Sequence, residues 1–196
     1  MLRVNETFVS LQGEGYFTGT PAFFLRLSGC NLHCPFCDTH HQSFTEMSEE
    51  EIVQEASRHK PRHIVVTGGE PALQLTKSLV DKLHEAGFFI QVETNGTLPL
   101  PEGIDWVTAS PKSSPIREDL KVDELKVLFM GDGTDPDGFV SPLLGRGRGR
   151  LLFYLQPLDT GDEMRNRIIL RDTIAYILDH PQWRLSLQTH KLLGIK

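Results

Sequence analysis

Short apolar runs alternate along this chain with segments whose apolar residues recur every three or four positions, and most runs end in a tail of Gly, Pro, Asn or small polar residues. Parallel strands need crossover connections, usually helical, so the alternation predicts a mostly parallel sheet with helices packed outside it. Strands are expected at 5–11, 22–27, 63–67, 88–93, 104–109, 125–130, 151–156 and 184–188. Ser48 and Glu51 form a capping box that opens a helix to about His59. Ala72, Leu75, Leu79, Leu83 and Ala86 trace a second helix that Gly87 ends, and Leu170, Ile174, Ile177 and Leu178 mark a long third one before Pro181. A length of 196 residues suits one domain spanning 1–196 and is short for a closed eight-unit barrel of roughly 250 residues. The expected fold class is therefore α/β, an open, partial (β/α) barrel of mostly parallel strands.

In such folds ligands gather beyond the carboxyl ends of the strands. The distinctive polar tails sit there: Ser28-Gly29-Cys30, Thr67-Gly68-Gly69-Glu70, Glu93-Thr94-Asn95-Gly96, Ser110-Pro111-Lys112, Gln156-Pro157 and Gln188-Thr189-His190. A turn that needs Gly, Pro or Asn explains any one of them. Six on the same strand edge point to a shared site.

The only three cysteines fall within eight residues, Cys30, Cys34 and Cys37. An odd number serves disulfides poorly. Three thiolates on a short loop can hold three irons of a cubane cluster and leave the fourth iron open to a small molecule. Structural zinc competes, since His33, His40 or His41 could supply a fourth ligand.

The net charge of −6 disfavours broad contact with nucleic acid or anionic membrane, and no apolar run approaches spanning length. The N-terminal residues lack a secretory pattern, so a cytoplasmic protein is expected. The Gly-Arg repeat at 145–150 reads as a mobile loop, and the shape of 131–149 is not legible.

A Cys-x3-Cys-x2-Cys loop after an early strand, followed by Gly-Gly-Glu-Pro after a later one, resembles the radical S-adenosylmethionine enzymes. The similarity narrows to the 7-carboxy-7-deazaguanine synthases through Leu11-Gln12-Gly13-Glu14-Gly15, Arg26, Cys37-Asp38-Thr39, Thr67 to Pro71, Glu93-Thr94-Asn95-Gly96, Ser110-Pro111-Lys112, Glu124-Leu125-Lys126-Val127, Gln156-Pro157 and the stretch from Gln182 to Lys191. This resemblance implies a radical lyase that contracts 6-carboxy-5,6,7,8-tetrahydropterin to 7-carboxy-7-deazaguanine with loss of ammonia, on the way to 7-deazapurines such as queuosine. It implies a [4Fe-4S] cluster on Cys30, Cys34 and Cys37, S-adenosylmethionine acting catalytically, and Mg2+ on Thr39, where a hydroxyl suits a hard cation.

The same resemblance assigns cofactor contacts to Phe36, Asp38, Gly69, Ser110, Pro111, Lys112, Gln156, Pro157, Leu158 and Asp159. Substrate contacts fall on Leu11, Gln12, Gly13, Glu14, Arg26, Thr67, Glu93, His190 and the main chain of Lys196. Arg26 is a planar donor suited to a carboxylate. Glu14 and backbone groups of Leu11 to Gly13 suit the amide and amino edge of a pterin. A homodimer and a low-potential electron donor such as flavodoxin or ferredoxin are implied too, with neither nucleic acid nor membrane as partner. Two other functions stay open at this level: a zinc-stapled binding domain, and a different radical enzyme such as an activase that modifies a protein.

Overall fold

The computed structural model describes residues 1–196 apart from 38–42, 113–114, 132, 141–142 and 144–150. The strands are β1 (Leu2–Leu11), β2 (Pro21–Leu27), β3 (Thr45–Met47), β4 (His63–Gly68), β5 (Phe89–Thr94), β6 (Trp106–Ala109), β7 (Glu124–Phe129), β8 (Leu152–Pro157) and β9 (Trp183–Leu185). They form one nine-stranded sheet in the order β3-β1-β2-β4-β5-β6-β7-β8-β9. β1 is antiparallel to β2 and β3, and every pairing from β2 to β9 is parallel. The alternation in the sequence is thus realised as a mostly parallel sheet, and its two faces have opposite chemistry.

On the outer face Phe23, Leu25 and Leu27 of β2, Ile64 and Val66 of β4, and Ile90 and Val92 of β5 are buried with residues of α1 (Glu49–Ser57) and α2 (Lys77–Glu85). A second outer cluster joins Leu125, Val127, Leu155 and Trp183 to Tyr176 and Ile177 of α4 (Glu163–Asp179). Each large apolar side chain removed from water in this way contributes roughly 1.5–3 kcal/mol. The alternate residues of the same strands face inward, and many are polar yet buried: His63, Gln91, Thr108, Glu124, Lys126 and Gln156. A sheet that is apolar outside and polar inside encloses a site.

Local chemistry sets the helix ends. Ser48 accepts from the Glu51 amide while Glu51 accepts from the Ser48 amide, so the capping box forms as expected. The helix expected from Ala72 to Ala86 is instead a 3-10 turn, Pro71–Leu73, followed by α2. Thr76 causes the break, because its hydroxyl accepts from the Leu79 amide and caps a new start. The last strand is shorter than the expected 184–188, and Thr189–Leu193 forms a short helix, α5, ended by Gly194 in the left-handed conformation. Between α2 and α4, Asp137–Val140 forms one helical turn, α3, while 145–150 lies outside the described residues. No helix among the described residues is long and apolar enough to cross a membrane.

The loop after β1 shapes the interior. Because β1 is antiparallel, this loop emerges at the amino ends of the parallel strands, opposite the polar tails. Tyr16 stacks on Trp106 at 4.9 Å, and Phe17 meets His63 at 4.6 Å and Phe89 at 5.5 Å, ring centre to ring centre. Those three partners are the first residues of β6, β4 and β5. Two aromatic rings therefore stopper the lower end of the barrel. The same loop also meets the chain beyond β9: the Gly15 amide donates to Ser186 Oγ at 3.0 Å, and the Thr189 amide and hydroxyl both donate to the Gly13 carbonyl at 3.0 Å. These bonds bridge the first and last arms of the sheet.

Candidate active site

All three cysteines are free, Cys30 and Cys34 half-buried and Cys37 exposed, and all line one open cavity of about 300 Å³. The loop takes its shape from backbone bonds: Cys37 donates to the Cys34 carbonyl at 3.1 Å, and the Leu32 amide points at Cys30 Sγ at 3.4 Å. Burial raises the Cys34 pKa; Lys112 opposes the rise, and Cys30 and Cys37 add to it, so the three sulfurs and one lysine feel one another. Among the described residues no three His, Cys, Asp or Glu side chains converge on a single ion.

Gly68-Gly69-Glu70-Pro71 fixes this loop to the sheet. Gly68 has φ +125°, and a Cβ there would stand 2.1 Å from the Leu27 carbonyl oxygen, so only glycine permits this approach. The Gly69 amide donates to Leu27 and the Glu70 amide to Gly29, joining the end of β4 to the start of the cysteine loop. The fully buried Glu70 carboxylate accepts from Ala72 N, Thr94 Oγ1 and Asn95 N at 3.0, 2.7 and 2.7 Å, which pins the end of β5 as well. Asn95 Nδ2 then donates to Asn31 Oδ1 at 2.9 Å inside the cysteine loop. The bare edge at Gly68 and Gly69 lines the cavity beside the sulfurs and can admit a ligand backbone.

A second polar region lies deeper. Lys126 Nζ donates to Glu14 Oε2 at 2.5 Å and stands 3.5 Å from Glu93 Oε1, with only 5 % of its side chain exposed. Gln188 donates to Glu14 at 2.9 Å, Gln12 to Glu93 at 3.0 Å, and Thr67 to Glu93 at 3.3 Å. Burial alone would raise the Glu14 pKa, but the Lys126 charge and the bonds from Lys126 and Gln188 pull it below the usual carboxylate range. Burial would depress Lys126, yet Glu14, Glu93 and Glu124 together drive it well up. This buried lysine stays charged.

The other expected residues fall around these two regions. Leu11, Gly13, Phe36, Gly69, Leu158 and His190 line the cavity. Gly13 packs so tightly on the His190 ring that a Cβ would lie 2.2 Å from Nδ1. Arg26 lines it too, its Nε bonded to Glu6 at 3.0 Å. Lys112 Nζ donates to Ser110 Oγ at 2.9 Å, and burial, with Lys126 nearby, lowers its pKa. Gln156 accepts from Ser186 at 2.7 Å, and Asp159 from Lys191 and Asn166, both at 2.7 Å. The Lys196 carbonyl oxygen accepts from Ser10 Oγ at 2.5 Å at the cavity rim. Pro111 and Pro157 stand off the cavity wall and shape their tails, while Asp38 and Thr39 lie outside the described residues. Lys126 and Gln188 were present in the matched stretches without a role, and the structure gives them central positions.

Residues 25–115 match the model of the radical SAM superfamily. A 7-carboxy-7-deazaguanine synthase from Bacteroides thetaiotaomicron is 47% identical over 196 residues, covering all of both chains. The chain belongs to the 7-carboxy-7-deazaguanine synthase family. A second family member, from Synechocystis, is 40% identical over 98% of this chain and 93% of its own. The crystal structure of QueE from Escherichia coli superposes with a TM-score of 0.73 at 30% identity, covering 95% of this chain and 93% of that one. This 7-carboxy-7-deazaguanine synthase fold is an incomplete barrel of mostly parallel strands, as the alternating pattern predicts.

Proposed function

We infer that the cavity converts 6-carboxy-5,6,7,8-tetrahydropterin to 7-carboxy-7-deazaguanine with loss of ammonia, as a radical S-adenosylmethionine lyase of queuosine-type biosynthesis. One observation carries this reading: a three-thiol loop and a buried carboxylate–lysine pocket open into the same cavity. Full-length identity to named synthases supports it independently.

The three thiols, the glycine edge and Lys112 fit a [4Fe-4S] cluster carrying S-adenosylmethionine. When bound, that pair supplies the one-electron chemistry that takes a hydrogen atom from the substrate and returns it, and Mg2+ supplies a Lewis acid for its oxygens. In this reading Cys30, Cys34 and Cys37 hold the cluster and Thr39 the Mg2+. Phe36, Asp38, Gly69, Ser110, Lys112, Gln156, Leu158 and Asp159 border the cofactor, with Pro111 and Pro157 directing their tails. Leu11, Gln12, Gly13, Glu14, Arg26, Thr67, Glu93, His190 and the Lys196 main chain border the pterin. Arg26, steadied by Glu6, offers a guanidinium to the substrate carboxylate, and Glu14 and Glu93 offer acceptors to its amino edge. The aromatic floor packs over the amino ends of β4 and β6.

The reading extends to a single domain over 1–196, a homodimer, and a cytoplasmic setting that keeps the thiols reduced. A flavodoxin or ferredoxin supplies the electron. Nucleic acid and membrane are not partners, a view supported by the net charge of −6. The test is anaerobic reconstitution with iron and sulfide, then incubation with the tetrahydropterin, Mg2+, S-adenosylmethionine and reductant. The deazaguanine acid should form without net loss of S-adenosylmethionine. A tightly bound zinc and no product would defeat the reading.

A further inference from the structure

Two carboxylates share one small volume with a single lysine, and the arrangement asks what that lysine does. Glu14 comes from the loop at the lower end of the barrel and Glu93 from the carboxyl end of β5, so no local turn holds them together. Lys126 reaches both from β7, at 2.5 and 3.5 Å. Its neighbours in the strand alternate, Leu125 and Val127 into the outer core and Lys126 into the cavity, so the ammonium is placed by the sheet itself.

The remaining bonds show what the pair has left to give. An ionised carboxylate has about four acceptor sites. On Glu14, Lys126 occupies Oε2 and Gln188 Oε1. On Glu93, Gln12 occupies Oε1 and Thr67 Oε2. Both residues line the cavity and retain acceptor capacity toward it. Two adjacent carboxylates with no cation between them would repel and turn apart. We propose that Lys126 is the positioning residue that holds Glu14 and Glu93 side by side, so that together they present acceptors to a ligand edge made of donors, such as an amino group beside a ring N–H. This deepens the functional reading above and rests on it, since that reading places the pterin here. Lys126 acts through the two carboxylates and has no contact with the reacting carbon.

The test is binding by the reconstituted holoprotein, read by ligand fluorescence. The probes are 6-carboxypterin and 6-carboxylumazine, which differ in an amino group replaced by an oxo group on the recognised edge. Wild type should prefer the pterin at least tenfold. In Lys126→Met the preference should shrink below threefold through loss of pterin affinity, while cluster absorbance and S-adenosylmethionine affinity stay unchanged. Lys126→Arg, which keeps the charge, should retain more of the preference. An undiminished preference in Lys126→Met overturns the proposal and leaves the functional reading standing. Wild type that binds neither probe overturns the functional reading and this inference with it. Should Lys126→Met fail to fold, Lys126→Gln is read in the same way, and an undiminished preference there overturns the proposal equally.

Discussion

Glu124 shows how one side chain can set the pH behaviour of the fold. It faces inward at the barrel floor, 1 % exposed, where Oε2 accepts from the Tyr16 amide at 3.1 Å while Oε1 and the nearby Trp106 Nε1 are buried without a well-formed hydrogen bond. Burial lifts its pKa to about 7 against the pull of Lys126 and the Tyr16 amide, and Glu93 adds to the rise. The folded-state value lies above the ordinary 4.5, so the folded protein holds a proton that the unfolded chain has released. Stability should therefore fall as pH rises from about 4.5 to 7, by an amount on the order of 3 kcal/mol. His63, whose pKa burial lowers, works in the opposite direction, so the comparison must be with a variant. Glu124→Gln should unfold at higher urea than wild type at pH 8 and show little difference at pH 5. Parallel curves for the two proteins across that interval would refute the assignment. The residue was within reach of sequence reading: Glu124 and Lys126 alternate with Leu125, Val127 and Phe129 in a buried strand, which signals a polar interior face. The partner of Lys126 is not legible in the same way, because its pairing with Glu14 spans 112 residues and no local pattern encodes it.

The element that joins the two halves of the site is the tail of β4. Gly68 tolerates no side chain, since Leu27 N and O stand 2.5 and 2.1 Å from where a Cβ would go. Gly68→Ala should lower stability by about 3 kcal/mol or more, combining strain at positive φ with a backbone clash, and should reduce both soluble yield and melting temperature. Gly19→Ala is the matched control. Its φ is +87° but nothing lies within 4 Å of the added methyl, so only strain of about 1–2 kcal/mol is expected. Equal losses in the two variants would show that contact with Leu27 is not what matters. At this scale the helices and most strands were legible because burial follows periodicity. The exceptions are instructive. Apolar spacing from Ala72 to Ala86 runs through the break at Thr76, so periodicity alone could not see it. The three-residue β3 is too short to show alternation, and it exists because β1 offers it an edge.

Across the whole molecule, the first and last segments meet. Besides the bonds that Thr189 donates to Gly13 and Ser186 accepts from Gly15, Lys196 Nζ reaches Glu6 at 2.5 Å and its carbonyl accepts from Ser10. This closing strap contributes Gln188, His190, Lys191 and Lys196 to the cavity and includes none of the three cysteines. Removing residues 188–196 should leave iron and sulfide content near wild type but weaken 6-carboxypterin at least tenfold. Undiminished affinity in a truncated protein of full cluster content would exclude the strap from substrate binding. Its role was only half visible in the sequence, where residues 184–188 read as strand and the contacts to Gly13 and Glu14 depend on how the sheet curls.

The aromatic stopper formed by Tyr16 and Phe17 has a further consequence. With rings packed over the amino ends of β4, β5 and β6, the cavity faces the carboxyl ends of the strands, on the side of the cysteine loop. Any molecule that reaches the sulfurs therefore also meets the bare Gly68–Gly69 edge, so access to one is access to the other.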